Sequence, residues 1–349
     1  MIEKYKKVFI ISLLLFLFSS CTLSICVGAI EIPLESLGKI ILKQFDTGNS
    51  EAIYNQQEAV LMAIRIPRVL LGVLVGGTLG ISGCAIQGIF RNPLAEPGLI
   101  GVSSGASLFA VMFIVIGNTL FEGLTLFLGY YALAVVAFIG ALLTTTLLYK
   151  FSVRNGKTDI TTLLLIGIAI NALAGALIGL MTYTANDEQL RTITFWNMGS
   201  LGGANWKSVM TILPFALICM FGLMIFGKSL NAMTLGESQA QHLGINLQKT
   251  KRSVVILCAI GVGACVALSG IIGFLALLVP HLLRMGVSAD HKFLLPASIL
   301  LGASLLVLAD LLARTIVIPA ELPIGILTAF MGVPMFIAII LKSTKERRI

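Results

Sequence analysis

Charged residues are scarce in this sequence: they fill 11% of its 349 positions, against about a quarter in soluble proteins of average composition. With 57% hydrophobic residues and a mean hydropathy of +1.00, a soluble fold of this size could not cover its apolar surface. That leaves a polytopic membrane protein. Strict apolar–polar alternation is also missing, so the spans are helices and not barrel strands. No GxxxxGK[ST] loop occurs; any nucleotide hydrolysis has to come from a separate subunit, and no cofactor is expected in this chain. The three histidines are isolated, and the six cysteines (21, 26, 84, 219, 258 and 265) lie in apolar runs without a CxxC. They read as small buried hydrophobes, and no metal site is expected. The basic residues behind the net charge of +8 are scattered among loops, unlike a nucleic-acid-binding patch.

What is present is a succession of apolar runs near 20 residues long. They place helices at about 8–30, 64–88, 99–117, 126–149, 160–182, 208–227, 252–270, 293–314 and 323–341, with a short apolar segment at 271–285 containing Pro280. Counting that segment, ten helices cross the membrane in a single all-α domain over 1–349. Lys4, Lys6 and Lys7, an apolar run and then Phe18-Ser-Ser-Cys21 have the outline of a lipoprotein signal. The run continues past Cys21 to Ile30, however, so it is read as the first membrane helix.

Charge sets the orientation. With the N-terminus inside, 17 basic residues fall in or beside inner loops and 7 fall outside, while acids divide ten outside and six inside. This is the positive-inside bias, and it puts both termini in the cytoplasm. The loop 31–60, with Glu31, Glu35, Asp46, Glu51 and Glu58, then lies outside, as does the polar segment 183–206. That segment carries both tryptophans, Trp196 and Trp206, as expected at a membrane interface.

Several patterns have two readings. Gly72, Gly76 and Gly80 share one helix face, and Asn171, Gly175 and Gly179 share another; such spacing suits close helix approach or a path for a bulky solute. Gly101-Val-Ser-Ser-Gly105 fits the nucleophile elbow, but it opens a membrane helix and no histidine is placed to serve it. An intramembrane hydrolase acting through Ser103 is therefore disfavoured. Asp310 and Arg314 form an i,i+4 pair, and Glu321-Leu-Pro-Ile-Gly325 opens the last helix. No titratable group is evident near the midplane, which argues against an ion-coupled secondary carrier. Arg65, Arg68 and Arg314 fall on the outer side, either as interfacial anchors or as a basic rim facing acids of an external partner.

The longest polar stretch of the second half is Lys228–Arg252. Thr234 and Glu237 are spaced as a capping box, and Gly244 supplies a C′ stop. They predict a short helix over Leu235–Leu243. It lies in the cytoplasm and is either a solvated connector or a docking helix.

The stretches RIPRVLLGVLVGGTLGISGCAIQGIFRNPLAEPGLIGVSSGAS (65–107), FWNMGSLGGANW (195–206), LGESQAQHLGI (235–245), LSGIIGFLALLVPHLLR (268–284) and LADLLARTIVIPAELPIGILTAFMGVPMFI (308–337) together resemble the FecCD-type permease subunits of binding-protein-dependent ABC importers for iron–siderophore, haem and vitamin B12. The resemblance implies ten membrane helices per subunit and two permease subunits, identical or paralogous, around a path in the bacterial cytoplasmic membrane. It also implies two cytoplasmic ATPases, which bring the ATP and Mg, and an external binding protein. By the same resemblance, Leu235, Gly236, Glu237, Ala240, Leu243 and Gly244 belong to the coupling helix that enters a cleft of the ATPase. Arg65, Arg68 and Arg314 take the place of arginines that answer acids of the binding protein. Thr158, Thr161 and Thr162 lie at the inner gate. The cargo expected is an iron complex, haem or a ferric siderophore, with cobalamin as the alternative; FWNMGSLGG is closer to the haem permeases.

Overall fold

Apolar runs without alternation become helices in the computed structural model, which describes residues 2–28, 30, 32–43, 55–120, 122–154, 156–317 and 319–346. The chain opens with α1 (Ile2–Cys26), α2 (Leu34–Lys43), α3 (Asn55–Val60) and α4 (Ile66–Phe90). A π-helical turn, Leu61–Arg65, joins α3 to α4 without a break, so the second span begins earlier than the apolar run suggests. Then come α5 (Val102–Leu120), α6 (Glu122–Leu128), α7 (Ala132–Ser152) and α8 (Ile160–Thr184). The second half contains α9 (Asp187–Met198), α10 (Trp206–Met224), α11 (Gly227–Thr234), α12 (Glu237–His242), α13 (Leu247–Ser269), α14 (Leu275–Gly286), α15 (His291–Ala313) and α16 (Ile324–Glu346).

Seven stretches among the described residues are long and apolar enough to cross a membrane, and three shorter apolar helices, Val102–Gly117, Leu275–Gly286 and Ile324–Met335, stand where the other three spans are expected. The short apolar segment 271–285 forms α14, whose 12 residues reach about 18 Å at 1.5 Å per residue. It covers half a bilayer and is preceded by the non-helical turn Gly270–Phe274. The acidic positions Glu31, Asp46 and Glu51 lie outside the described residues.

The core is organised on α4, which is buried along nearly its whole length from Pro67 to Phe90. Its glycines explain how. A Cβ at Gly76 would strike the Gly302 carbonyl, and one at Gly80 would strike the Ser298 carbonyl, both on α15. The small-residue face of α4 therefore lets two backbones touch, where dispersion and not water expulsion holds helices together. The second small-residue face behaves oppositely. Gly175 and Gly179 on α8 meet no other group of the chain within 4 Å of a Cβ position, and only Leu163, Gly167 and Ala174 of that helix are buried.

The polar segment 183–206 is not a loop. Asn186 and Gln189 form a reciprocal capping box that starts α9, and α9 runs back into the protein. Trp196 packs against the core, whereas Trp206 is half-exposed and donates to the Met62 carbonyl at 2.8 Å. The cysteines are all free; Cys84, Cys219, Cys258 and Cys265 are buried, and Cys21 and Cys26 are half-buried. Gly101, at φ +76°, leads straight from a 3-10 turn into α5. The strand needed for a nucleophile elbow is not there, and the neighbouring Ser104 hydroxyl is 2.6 Å from the Asn171 side-chain oxygen of α8.

Candidate functional site

The polar stretch at the inner end folds differently from the capping-box expectation. Thr234 closes α11, and its hydroxyl donates to the Asn231 carbonyl at 2.7 Å. The N-cap of α12 is Gly236 at φ +118°, a conformation that L side chains rarely adopt. The helix is thus six residues, Glu237–His242, and not Leu235–Leu243. Gly244, at φ +79°, closes it as expected, with its N–H bonded to the Gln241 carbonyl. Such a helix is not stable alone, and two contacts hold it. Ala240 is fully buried in the core, and the Glu237 carboxylate, free of capping duty, accepts from the Lys251 ammonium at 2.9 and 3.0 Å. Leu235 and Leu243 point outward, 65% and 62% exposed. Two large apolar side chains thus flank α12 with nothing of this chain over them.

The threonines at the inner end occupy two different elements. Thr158 is in a two-residue strand, Lys157–Thr158, paired with Val153–Arg154. Asp159 follows as the N-cap of α8, its carboxylate accepting from the backbone N–H groups of Thr161 and Thr162. Thr158 is buried and all its polar atoms are engaged. Its N–H donates to Gln248 Oε1 at 2.8 Å, its hydroxyl lies 3.0 Å from Tyr149 Oη, and its carbonyl accepts from Lys251 Nζ at 3.2 Å. Thr161 is exposed and Thr162 is half-buried. Lys251, Gln248 and Tyr149 are absent from the sequence reading. Gln248 and Lys251 sit in the polar start of α13, LQKTKRS, and nothing in the sequence separates them from the basic and polar residues beside them.

At the outer end the three arginines face inward. Arg65 is 4% exposed and donates to the carbonyls of Ile25, Cys26 and Ile30, which fastens the end of α1 to the start of α4. Arg68 makes a two-pronged contact with Asp310 at 2.9–3.1 Å and a second one with Glu321 at 2.8–2.9 Å. Such paired, planar contacts are the strong form of guanidinium–carboxylate bonding. Arg314 donates to the Ser24 carbonyl and hydroxyl and stands 3.9 Å from Asp310. These side chains tie α1, α4, α15 and the start of α16 together and present no free basic rim. Arg68 also holds the Glu321 carboxyl below its ordinary range through these hydrogen bonds, against the opposing effect of burial. The expected Asp310–Arg314 pairing is present but is the longest contact of the group; Asp310's principal partner is Arg68.

The loop after α9 lies against this cluster. The Gly199 carbonyl accepts from Ile324 N at 3.1 Å, Ser200 N donates to the Ser269 carbonyl at 2.8 Å, and a Cβ at Gly202 would lie 3.0 Å from the Glu321 carboxylate. The FWNMGSLGG stretch therefore bridges the end of α13 and the start of α16. Among the described residues no cluster of histidine, cysteine and carboxylate side chains could hold a metal ion.

The family model for the FecCD transport family matches residues 13–342. The chain belongs to the FecCD transport family. This FecCD permease is 44% identical over 324 residues to the hemin transport system permease protein HmuU of Yersinia pestis, covering 92% of this chain and 91% of the relative. It is 40% identical over 338 residues to the ABC transporter permease YvrB of Bacillus subtilis. It is 37% identical over 280 residues to the cobalamin import system permease BtuC of Halobacterium salinarum, covering 80% and 73% of the two chains. Among solved structures, a metal-chelate type ABC transporter captured facing inward superposes with a TM-score of 0.82 at 32% identity, covering 96% of this chain and 99% of that one. The FecCD permease is accordingly an all-α, multi-pass protein of the bacterial inner membrane and a permease subunit of an ABC importer.

Proposed function

We propose that this permease passes haem from an external binding protein to the cytoplasm, with two copies of the chain enclosing the path and two ATPases driving it. The observation that carries the choice of cargo is the 44% identity, over nine-tenths of both chains, to a hemin permease. The inner-end geometry supports the mechanism. A six-residue helix with outward leucines at both ends suits insertion into a cleft of a soluble partner, because it offers apolar side chains on a backbone stiffened from behind. The open face of α8, with Gly175 and Gly179, supports a second copy or a solute path against that helix. The mechanical event is a rocking of the two permease bodies. Cargo selection belongs to the binding protein, since a path with strong ligands would slow release.

Cobalamin is the second reading, favoured by the matches to cobalamin permeases at 35–42% identity; a ferric siderophore is the third. Proteoliposomes holding the permease, its ATPase and its binding protein separate them. Haemin accumulation that cobalamin and ferric siderophores do not compete away is expected; accumulation of cobalamin or a ferric siderophore in place of haemin would overturn the choice. Docking of the binding protein through Arg65, Arg68 and Arg314 is a weaker proposal, because all three are engaged inside the chain. It predicts that Arg65→Glu weakens docking in a salt-sensitive way, whereas arginines that only fasten α1 and α4 leave docking unchanged once folding is accounted for.

A further inference from the structure

Lys251 occupies an unusual place. It lies in the second turn of α13, its side chain is 3% exposed, and its ammonium meets three oxygens: both oxygens of Glu237 on α12 and the carbonyl of Thr158 on the inner turn. An ammonium has three N–H donors and no acceptor, so this one is fully satisfied. Three residues earlier on the same face of α13, Gln248 accepts from the Thr158 N–H. The turn before α8 is therefore hydrogen-bonded through both its backbone groups to α13. The Thr158 hydroxyl lies 3.0 Å from Tyr149 Oη on α7. Lys251 Nζ bridges α12 directly to that turn.

We infer that Lys251 is a positioning residue that joins the coupling helix to the inner turn, so that α12, the start of α13 and the strand pair Val153–Arg154 and Lys157–Thr158 move as one body when an ATPase moves α12. This rests on the reading of α12 as the ATPase contact. Its physical basis is independent of that reading. The Lys251 side chain is 3% exposed and that of Glu237 34%, so an ammonium that leaves either partner loses a charge-assisted hydrogen bond on its own, buried side of the contact. The contact therefore transmits displacement instead of yielding to it. Glu237 then has a stated role: its carboxylate holds the Lys251 ammonium and does no proton chemistry. Thr158 has one too, as the point where α12's motion reaches the segment that leads into α8.

The test uses the whole permease–ATPase complex. Spin labels go at Lys157→Cys and Gln241→Cys, both exposed, in a chain with Cys21 and Cys26 changed to serine. Distances are read with and without trapped ATP. The native Lys251 chain is expected to give one narrow distribution in both states. Lys251→Met is expected to broaden it and make it ATP-dependent, while the ATPase still copurifies. The charge swap Glu237→Lys with Lys251→Glu restores the ion pair but offers Thr158 no donor, so it is expected to stay broad. A native distance that changes with ATP, or a Lys251→Met distribution as narrow as the native one in both states, overturns the inference, as does full recovery in the swap. If Lys251→Met does not fold, Gln248→Leu removes the second tie from a half-buried position; it is expected to broaden the distribution, and no change would count against the joint. Should the ATPase fail to associate with the native chain at all, the reading of α12 fails by itself, before any label is attached.

Discussion

Arg68 donates to two carboxylates from residues 242 and 253 positions further along the chain, and it is buried with Asp310 at 8% and 3% side-chain exposure. Removing one partner of such a pair leaves an uncompensated charge, which costs roughly 3–5 kcal/mol, while replacing both by apolar groups is often neutral. Arg68→Ala is therefore expected to lower the thermal midpoint in detergent sharply, and Arg68→Leu combined with Asp310→Leu to recover most of the loss. Glu321 gives a pH signature. Its carboxyl is held below the ordinary glutamate range by Arg68, so its contribution is complete above that range and is lost as the pH falls through the lowered value. The stability gap between the native chain and Glu321→Gln is expected to be widest near neutrality and to close in acid; a gap independent of pH would remove Glu321 from the cluster. At the inner end, Asp290 loses ground to burial but gains more from Lys6 and Asn231, which hold it down to about 2. The tie from α1 to the start of α15 is thus intact at every physiological pH.

Helices distinguish two kinds of glycine that look identical as a spacing. Gly76 and Gly80 lie where α15 leaves no room for a Cβ, and Gly175 and Gly179 lie where nothing of the chain stands. Gly76→Val should therefore force α4 and α15 apart, at a cost in the range of about 1–3 kcal/mol typical of overpacking. Gly175→Val should leave the melting of the single chain unchanged and be felt only in transport. Equal destabilisation by both would contradict the assignment of the two faces. The same comparison shows what the sequence could and could not disclose. Span count, helix type and inner and outer ends follow from apolar length and the Lys/Arg bias, which depend on local composition. Whether a small-residue face meets a neighbour depends on which helix packs there, and no spacing carries that. The capping box at Thr234 misled for a related reason. Glu237 is spaced to cap, but a buried ammonium from Lys251 offers a charged partner, and Gly236 can turn the chain without a side-chain cap. Asn186 and Gln189, with no such competitor, do form the box.

The whole molecule is a rigid bundle fastened at two ends by charge. At the outer end Arg65, Arg68 and Arg314 bind α1, α4, α15 and the approach to α16; at the inner end Lys251 joins α12 to the turn before α8. Between them the helices meet mainly through glycine and aliphatic side chains, with a few polar contacts such as Ser104–Asn171 and Ser107–Asn197. Membership in the FecCD transport family was visible in the motifs because they carry the close approaches and turns: Gly76 and Gly80 in one stretch, Gly199 and Gly202 in another, Gly236 and Gly244 in a third. The joint at Lys251 was not visible, because its two partner residues, Glu237 and Thr158, stand 14 and 93 positions away and become its neighbours only in the folded chain. The central claim is that α12 is where ATP-driven motion enters this permease. It is tested most directly by changing Leu235 and Leu243 to aspartate, since both are exposed and neither supports the core. Reconstituted with ATPase and binding protein, the native chain is predicted to accumulate haemin only when ATP is supplied. The double variant is predicted to melt at the same temperature and to lose ATPase association and uptake together. Undiminished ATP-driven uptake by a folded double variant would contradict the account.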